Sequence, residues 1–269
     1  MADARDSFEQ GLRLIQRMGG QERPAVLDLF ESIGEGDFGE ECIGFIYGDV
    51  YHRPGLSLPE RQLVTVGALI ALGYAPSQLQ FHAKAALTVG CTRQQIMETV
   101  IHLSSFVGFP ATLNAFTVVK EAFAEVEEDP SSAEPEQERR WSDIDDRYER
   151  GLIVLEEVDG AAGRKVVEAV AEIAPDLARL IIEFTFGEIY PRPGLSLRHR
   201  ELVSVAALVA LGSALPQLKV HLKSLINVGG TRQEAIETVL HLAFYTGFPA
   251  ALNALAVARE VFGERAPGH

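Results

Sequence analysis

Cysteine, tryptophan and basic residues are scarce in this chain, and it has no apolar run long enough to cross a membrane. Its 269 residues include two cysteines, Cys42 and Cys91, so it lacks the Cys-x-x-Cys pair of a dithiol redox or metal site. We expect both thiols to stay reduced, as in cytosolic proteins. The longest apolar runs, such as residues 202–212, have about half the length of a membrane-spanning helix.

Positive charge is also in short supply. The sequence has 24 lysine and arginine residues against 38 aspartate and glutamate residues, which gives a formal net charge of -14. Nucleic acids and anionic membranes bind cationic surfaces, so we expect neither as a partner. The first residues lack the apolar segment of a signal peptide, and we therefore expect a cytoplasmic protein.

An internal duplication organises the chain. The sequence Arg-Pro-Gly-Leu-Ser at 53–57 recurs at 192–196, and the copies stay in register as far as Phe123 and Phe262, with more than half of the paired positions identical. This pattern predicts two domains, residues 1–127 and 142–269. The acidic, proline-containing residues 128–141 are typical of a linker.

Apolar residues recur with a helical period in both copies, and no useful length of sequence alternates as a strand does. The sequence therefore predicts an all-α fold. Residues 63–73 are apolar nearly all round, so this helix should lie in the core, where Gly67 would allow neighbouring helices to approach. Thr92-x-x-Gln95 and Thr231-x-x-Glu234 are capping boxes that should begin helices.

Two matched histidines are the first candidates for chemistry. His82 and His221 lie on helices that otherwise offer apolar faces, and imidazole is the side chain most easily tuned to move protons near neutral pH. Glu201 in the second copy is matched by Gln62 in the first, and an amide can neither take a proton nor hold a cationic histidine. The pattern favours one working site and one degenerate site, although a buried structural histidine remains the alternative.

A second pair of histidines stands four residues after a carboxylate. Glu98-x-x-x-His102 and Glu237-x-x-x-His241 each place both groups on one helix face, where they could form a local ion pair or hydrogen bond. With His82 or His221 they could instead form a two-histidine, one-carboxylate metal site. We favour the local pair, and predict neither a metal nor a cofactor.

Arginines and a tyrosine complete the candidates. Arg53 and Arg192 lie in a fixed turn, where a guanidinium could bind a substrate carboxylate or pair with an acidic residue one helical turn earlier. Arg200 stands at the start of the apolar helix. Tyr245, four residues after His241, extends that helix face in the second copy.

These motifs together resemble the carboxymuconolactone decarboxylase family. The resemblance rests on residues 186–195, the Ala-Ala-Leu-Val-Ala-Leu-Gly run at 206–212, His221, Gly-Gly-Thr-Arg at 229–232 and residues 245–253. Residues 45–114 match the same pattern less well. The family implies an all-helical fold shared with the alkyl hydroperoxidase D proteins. It also implies rings of three or six domains, so this chain would form a homo-oligomer, a trimer with six domains.

The resemblance implies a cofactor-independent decarboxylase acting on a small carboxylated lactone. His221 would donate the proton, Glu201 would orient it, Arg192 or Arg200 would bind the remaining carboxylate, and His241 would lie at the wall of the same pocket. Alternatives are peroxide or thiol redox chemistry of the hydroperoxidase branch, or a ligand-binding member without catalysis. The Cys-x-x-Cys element of that branch is missing here, which leaves Cys91 as a single candidate thiol.

Overall fold

A computed structural model describes residues 3–126 and 140–263, and in these two ranges all regular structure is helical. The predicted all-α fold is confirmed. In the first copy the helices are α1 (Ala4–Gly19), α2 (Ala25–Ser32), α3 (Gly36–Ile43), π1 (Gly44–Val50), α4 (Leu58–Leu72), α5 (Pro76–Thr88) and α6 (Arg93–Ala124). In the second copy they are α7 (Arg147–Val158), α8 (Gly160–Ala171), α9 (Pro175–Leu180), π2 (Ile181–Ile189), α10 (Leu197–Leu211), α11 (Leu215–Asn227), α12 (Arg232–Thr246) and α13 (Phe248–Gly263).

The two copies share a core, at whose centre α4 packs against α10. Residues 61–70 of α4 are all buried, as the apolar sequence predicted. Gly67 allows the close approach: a Cβ atom there would lie 3.1 Å from the Val203 side chain. Val64 and Ala68 pack into the apolar cluster of the second copy, and Val203 and Ala207 into that of the first. The copies therefore stabilise each other through buried apolar area.

Two π-helices interrupt the α-helical pattern of the described residues, and the helical period of the sequence did not predict them. Each lies against the first helix of its own copy, and glycines let the backbones meet. A Cβ atom at Gly48 would lie 2.0 Å from the Ser7 carbonyl oxygen, and one at Gly187 would lie 2.3 Å from that of Arg147. Each π-helix is followed directly by a tyrosine, Tyr51 or Tyr190, that belongs to the candidate site.

The structure shows the helix starts that the two capping boxes predicted. Thr92 and Thr231 form capping boxes, and so does Ser57, whose hydroxyl accepts from the Glu60 backbone N–H. Helix α6 has the length and composition of a membrane span, but apolar core helices share them. It bends at Gly108, where φ is 77°, and it carries a buried glutamate and histidine, so it belongs to the core.

Most of the predicted linker, residues 128–139, lies outside the described residues. At its far end the Arg140 backbone N–H donates to the Pro191 carbonyl, and the Arg140 guanidinium lies 4.2 Å from the centre of the Trp141 ring. Trp141 packs on an apolar cluster that contains Val154 and Tyr190. The chain is thus held to the second copy from Arg140 onward. The domain boundaries stay a prediction.

Candidate functional site

The structure brings Glu201 and His221 together. Glu201, in the first turns of α10, has a fully buried carboxylate, and His221 lies in the middle of α11. Nδ1 of the imidazole lies 2.8 Å from Oε2 of Glu201. Since an ionised carboxylate only accepts, Nδ1 carries a proton and donates it. Nε2 is then the ring nitrogen left for chemistry.

A tyrosine from π2 binds the other oxygen of the same carboxylate. The Tyr190 hydroxyl donates a short hydrogen bond to Oε1 of Glu201. The π-helical turn ends with the Tyr190 backbone N–H on the Thr185 carbonyl, which sets the register of this side chain. Both carboxylate oxygens are therefore occupied, and the orientation of Glu201 toward the imidazole is fixed from two sides.

His102 enters this site from the other copy. Its ring lies edge-on to the Tyr190 ring, with 5.0 Å between centres, and the Phe106 ring lies 5.1 Å from that of His221. Nε2 of His102 lies 2.8 Å from the Ser204 hydroxyl, which itself donates to the Arg200 carbonyl. The hydroxyl proton is thus used, so His102 donates from Nε2.

This placement corrects two expectations. His241 lies in the site of the first copy instead of beside His221, where His102 is found. The Glu–x–x–x–His pairs are also not local ion pairs, because Glu98 binds arginines of the second copy. The reason is that α6 and α12 each cross to the other copy, which spacing along one helix cannot reveal.

Asp159, at the junction of α7 and α8, lies beside the pair. One oxygen of its carboxylate, one of Glu201 and a ring nitrogen of His221 all lie within 4.8 Å of one another. The Ser224 hydroxyl donates to Oδ1 of Asp159 at 2.6 Å. Sequence reasoning did not single out this aspartate.

The site is strongly polarised. Burial lowers the pKa of His221, but the Glu201 carboxylate and its hydrogen bond, with help from Asp159, raise it overall to about 9. Burial raises the pKa of Asp159 to about 6. Near pH 7 the imidazole is therefore protonated and the Asp159 carboxylate is largely ionised. A buried cationic acid is available to donate a proton.

The first copy has the same layout without the carboxylates. His82 Nδ1 donates to the Gln62 amide oxygen at 2.9 Å, and the Gln62 amide nitrogen donates to the Tyr51 hydroxyl at 3.2 Å. Tyr245, which replaces Phe106, lies with its hydroxyl oxygen 2.8 Å from that of Tyr51. His241 completes this site through a 2.7 Å bond from its Nε2 to the Thr65 hydroxyl, which donates to a backbone carbonyl.

The histidines of the first site are uncharged. Burial lowers the pKa of His82 to about 3, and burial followed by the positive charge of Arg61 lowers that of His241 well below its usual range. Neither can act as a cationic acid near pH 7. Two of the candidate catalytic residues, His82 and His241, thus lie together, but in a neutral site.

The candidate arginines bind glutamates of the opposite copy. Glu98 accepts from Arg192 at 2.7 Å and from Arg200 at 2.9 Å, and Glu237 accepts from Arg53 at 2.7 Å. The alternative of a partner one helical turn earlier is not what the structure shows. Arg200 is fully buried in this arrangement, so an anchoring role in substrate binding is not supported for it. Arg192 keeps 40% of its side chain exposed.

Solvent reaches the second site at the histidine. The His221 side chain is 13% exposed, whereas its partner Glu201 is 0% exposed. A more open cleft of about 790 Å³ lies between α1, α3 and π1 and is lined by acidic residues that include Glu9 and Asp37, but it holds none of the candidate residues. Of the Glu201–His221 pair, only the histidine is therefore in contact with solvent.

Three side chains could in principle ligate a metal ion: Asp159, Glu201 and His221. Each already has a protein partner, since Glu201 binds Tyr190 and His221, and Asp159 binds Ser224. Because the Glu201-facing nitrogen of His221 carries a proton, that atom would have to lose it to bind a metal. The hydrogen bonds fit an acid–base cluster better than a metal centre.

Tyr190 and His102 also form part of this site, and the duplication carries a signal for them. Tyr51 and Tyr190 both precede the matched Arg-Pro-Gly turns, and His102 matches His241. Comparison of the copies thus marks them as paired positions. Asp159 is different. When the first helices of the two copies are aligned at Gly11 and Gly151, the residue that matches Asp159 is Gly19. A residue present in one copy leaves no repeat signal.

Comparison with known proteins agrees with the duplication. The model of the carboxymuconolactone decarboxylase family matches residues 36–121 and again 175–260. The 4-carboxymuconolactone decarboxylase of Acinetobacter baylyi is 38% identical over 117 residues, which are 43% of this chain and 87% of that protein. A nitrosuccinic acid decarboxylase of Metarhizium robertsii is 30% identical over 121 residues, covering 44% of this chain and 82% of that protein.

One solved structure resembles the whole chain. It is a proposed gamma-carboxymuconolactone decarboxylase subunit from Burkholderia xenovorans, with a TM-score of 0.60 at 21% identity, and the likeness covers 95% of this chain and 98% of that one. At this identity the match shows the fold alone. The two family-model matches together span more than half of the sequence, and the chain therefore belongs to the carboxymuconolactone decarboxylase family.

Proposed function

We propose that this protein is a cofactor-independent decarboxylase that works at the Glu201–His221 site on a small carboxylated lactone or a related acid. The family and its named decarboxylases support this reaction class. The observation that carries the proposal is the buried Glu201–His221 pair, whose Nδ1–Oε2 distance is 2.8 Å and whose histidine is protonated near neutral pH.

Decarboxylation of such a lactone breaks the bond between a ring carbon and the carboxylate, and carbon dioxide leaves. The electron pair of that bond enters the conjugated lactone as a dienolate, with negative charge on the carbonyl oxygen. A proton must then be returned to carbon. His221 supplies it from Nε2, and Glu201 stabilises the imidazolium and fixes its orientation through Nδ1. No cofactor is required by this sequence of steps.

Positive charge at the entrance would hold the substrate. Arg192 is the candidate of the second copy, because it is partly exposed while Arg200 is sealed in the core. Nε and Nη2 of Arg192 bind the Glu98 carboxylate, and we propose that Nη1 binds a carboxylate of the substrate. In the first site, Arg53 and His82 take the matching positions, and Tyr245 of the second copy stands where the second site has Phe106. We propose that this first site does not catalyse.

Thiol chemistry is less well supported. Cys91 is buried, its thiol donates to the Pro59 carbonyl oxygen at 3.5 Å, and burial raises its pKa to about 12. The thiol thus stays protonated near pH 7 and is a poor nucleophile. We further propose a cytoplasmic homo-oligomer with three copies of this chain.

Replacement of His221 by glutamine tests the function. We expect kcat on 4-carboxymuconolactone, or on nitrosuccinate if that is the better substrate, to fall by about 10²- to 10⁴-fold, the usual contribution of a general acid. His82→Gln is the matched control and should keep full turnover, because His82 lies in the neutral site. Unchanged turnover in His221→Gln would contradict the proposal. Loss of activity in Cys91→Ser would favour the thiol alternative. Binding of the ligand without turnover would favour a binding protein without catalysis.

A further inference from the structure

We propose that Asp159 is a positioning residue of this site, a second buried carboxylate that acts through His221 by holding its imidazole in the protonated form. The inference rests on the proposed function of the Glu201–His221 pair and adds a residue to it. Asp159 lies outside both segments that match the family model, so it is a feature of this chain rather than of the matched segments.

Geometry is the first support. Asp159 is 6% exposed and stands at the C-terminal end of α7, where its backbone N–H donates to the Leu155 carbonyl at 2.8 Å. Ser224 lies on α11 one turn after His221, and its hydroxyl donates a 2.6 Å hydrogen bond to Oδ1 of Asp159. The carboxylate is thereby fixed within 4.8 Å of both the imidazole and Glu201.

A comparison of the two copies is the second support. Three polar groups of the second site are replaced together in the first: Asp159 by Gly19, Ser224 by Ala85, and Glu201 by Gln62. The histidine, by contrast, is present in both. The aspartate, the serine that holds it and the glutamate therefore occur as a set, in the copy whose histidine is charged. This is what a cooperating cluster predicts.

The electrostatic surroundings give the direction of the effect. Around His221 stand Glu201 from α10 and Asp159 from α7, and beyond them Tyr190, His102 and Arg200. The two carboxylates favour the imidazolium. Burial lowers the pKa of His102, and the positive charges of Arg200 and His221 act on it and lower its pKa further. Attraction between opposite charges at this range is strong in a buried site. Removal of the Asp159 charge should make His221 easier to deprotonate.

The experiment is an NMR titration of His221 in the full chain, with its ring signals assigned by comparison with His221→Gln. In Asp159→Asn we expect the pKa of His221 to fall by about one unit, and the alkaline limb of the pH–kcat profile to move down by the same amount. Asp159→Glu should restore much of the shift. Glu168→Gln, which removes an exposed carboxylate from the adjacent helix α8, should move neither quantity.

Two outcomes would overturn the inference. An unchanged His221 titration in folded Asp159→Asn would show that the aspartate does not act on the imidazole. Stoichiometric binding of Zn²⁺ or Mn²⁺ to the wild-type chain that is lost in Asp159→Asn would show a metal-ligand set instead. Because the titration needs no substrate, it separates this inference from the proposed decarboxylation.

A second variant covers the case in which Asp159→Asn does not fold. His221→Gln removes the cation that favours the ionised form of Asp159, so the protonated carboxyl band of Asp159 in the infrared spectrum should persist to higher pH than in wild type. A band at the same pH in both proteins would also contradict the inference.

Discussion

At the scale of single residues, an oxygen-for-nitrogen exchange beside the histidine is one of the differences between the two sites. Glu201 and Gln62 have nearly the same shape, and each binds the matched histidine of its own copy. Nδ1 of His221 lies 2.8 Å from Oε2 of Glu201, and Nδ1 of His82 lies 2.9 Å from Oε1 of Gln62. The carboxylate holds His221 as a cation, whereas the amide leaves His82 neutral, with its pKa lowered to about 3 by burial. Charge, more than hydrogen-bond geometry, therefore distinguishes the protonated His221 from the neutral His82.

Exchange of these two side chains is a direct test. In Gln62→Glu we expect the pKa of His82 to rise above its ordinary value of 6.5, because a buried carboxylate now favours the imidazolium. The reverse variant, Glu201→Gln, should lower the pKa of His221 below that value. Both shifts are measured by NMR titration of the histidine rings. A neutral His82 in folded Gln62→Glu would contradict this account of the asymmetry.

The sequence predicted the members of the Glu201–His221 pair, since their types and their repeat positions were both visible. It did not predict their neighbours. His102 comes from the other copy and Asp159 has no counterpart in the repeat, so neither periodicity nor comparison of the copies could place them. Long-range packing decides both positions.

At the scale of elements, the π-helices connect packing to the site. Each is pressed against the first helix of its copy through glycine contacts, and each presents the tyrosine that follows it to α4 or α10. π-Helical turns are uncommon and often occur at functional sites. The helical period of the sequence predicted a helix here. It could not predict the π-helical form, because the extra residue in a π-helical turn leaves no recognisable mark on the apolar pattern.

Gly187→Ala should therefore damage both stability and the site. The added methyl group would meet the Arg147 carbonyl oxygen at 2.3 Å, so π2 must move away from α7, at a cost of about 1–3 kcal/mol in the free energy of unfolding. Tyr190 moves with π2, and kcat should fall as Glu201 loses its hydroxyl partner. Denaturant unfolding and steady-state kinetics measure the two effects.

Two further glycine variants control for this effect. Gly48→Ala makes the equivalent clash in the first copy and should reduce stability with a smaller effect on kcat. Gly36→Ala, whose Cβ atom would meet a flexible glutamate side chain at 3.5 Å, should change neither by much. An equal fall in kcat in Gly187→Ala and Gly48→Ala would contradict the proposal that π2 supports catalysis by positioning Tyr190.

At the scale of the whole molecule, the duplicated copies act as one folded unit. Their apolar clusters interpenetrate, and the buried Glu98 and Glu237 each bind arginines of the opposite copy. Each site also contains a histidine from the other half. The sequence showed the duplication and its helices. It did not show that the copies would pack against each other, because the apolar pattern of one copy does not identify the surface that covers it.

Buried neutral histidines give the fold a specific dependence on pH. His82, His102 and His241 all have a folded-state pKa below the ordinary 6.5, so the stability that they contribute is present above pH 6.5 and is lost as the pH falls. Near pH 5 each takes up a proton on unfolding, while Asp159, with its pKa raised to about 6, releases one. His221 is protonated in both states there and does not contribute.

The balance of these groups is a net uptake of about two protons on unfolding near pH 5, which corresponds to a loss of about 2.7 kcal/mol of stability for each pH unit of acidification. Denaturant unfolding at several pH values between 5 and 6 measures this slope. His82→Gln keeps a side chain able to bond Gln62 but cannot titrate, so it should reduce the slope by about 1.4 kcal/mol per pH unit. The exposed His52→Gln should leave the slope unchanged. A slope that is the same in His82→Gln and in wild type would mean that His82 is not buried as a neutral group, and the contrast between the two sites would fail with it.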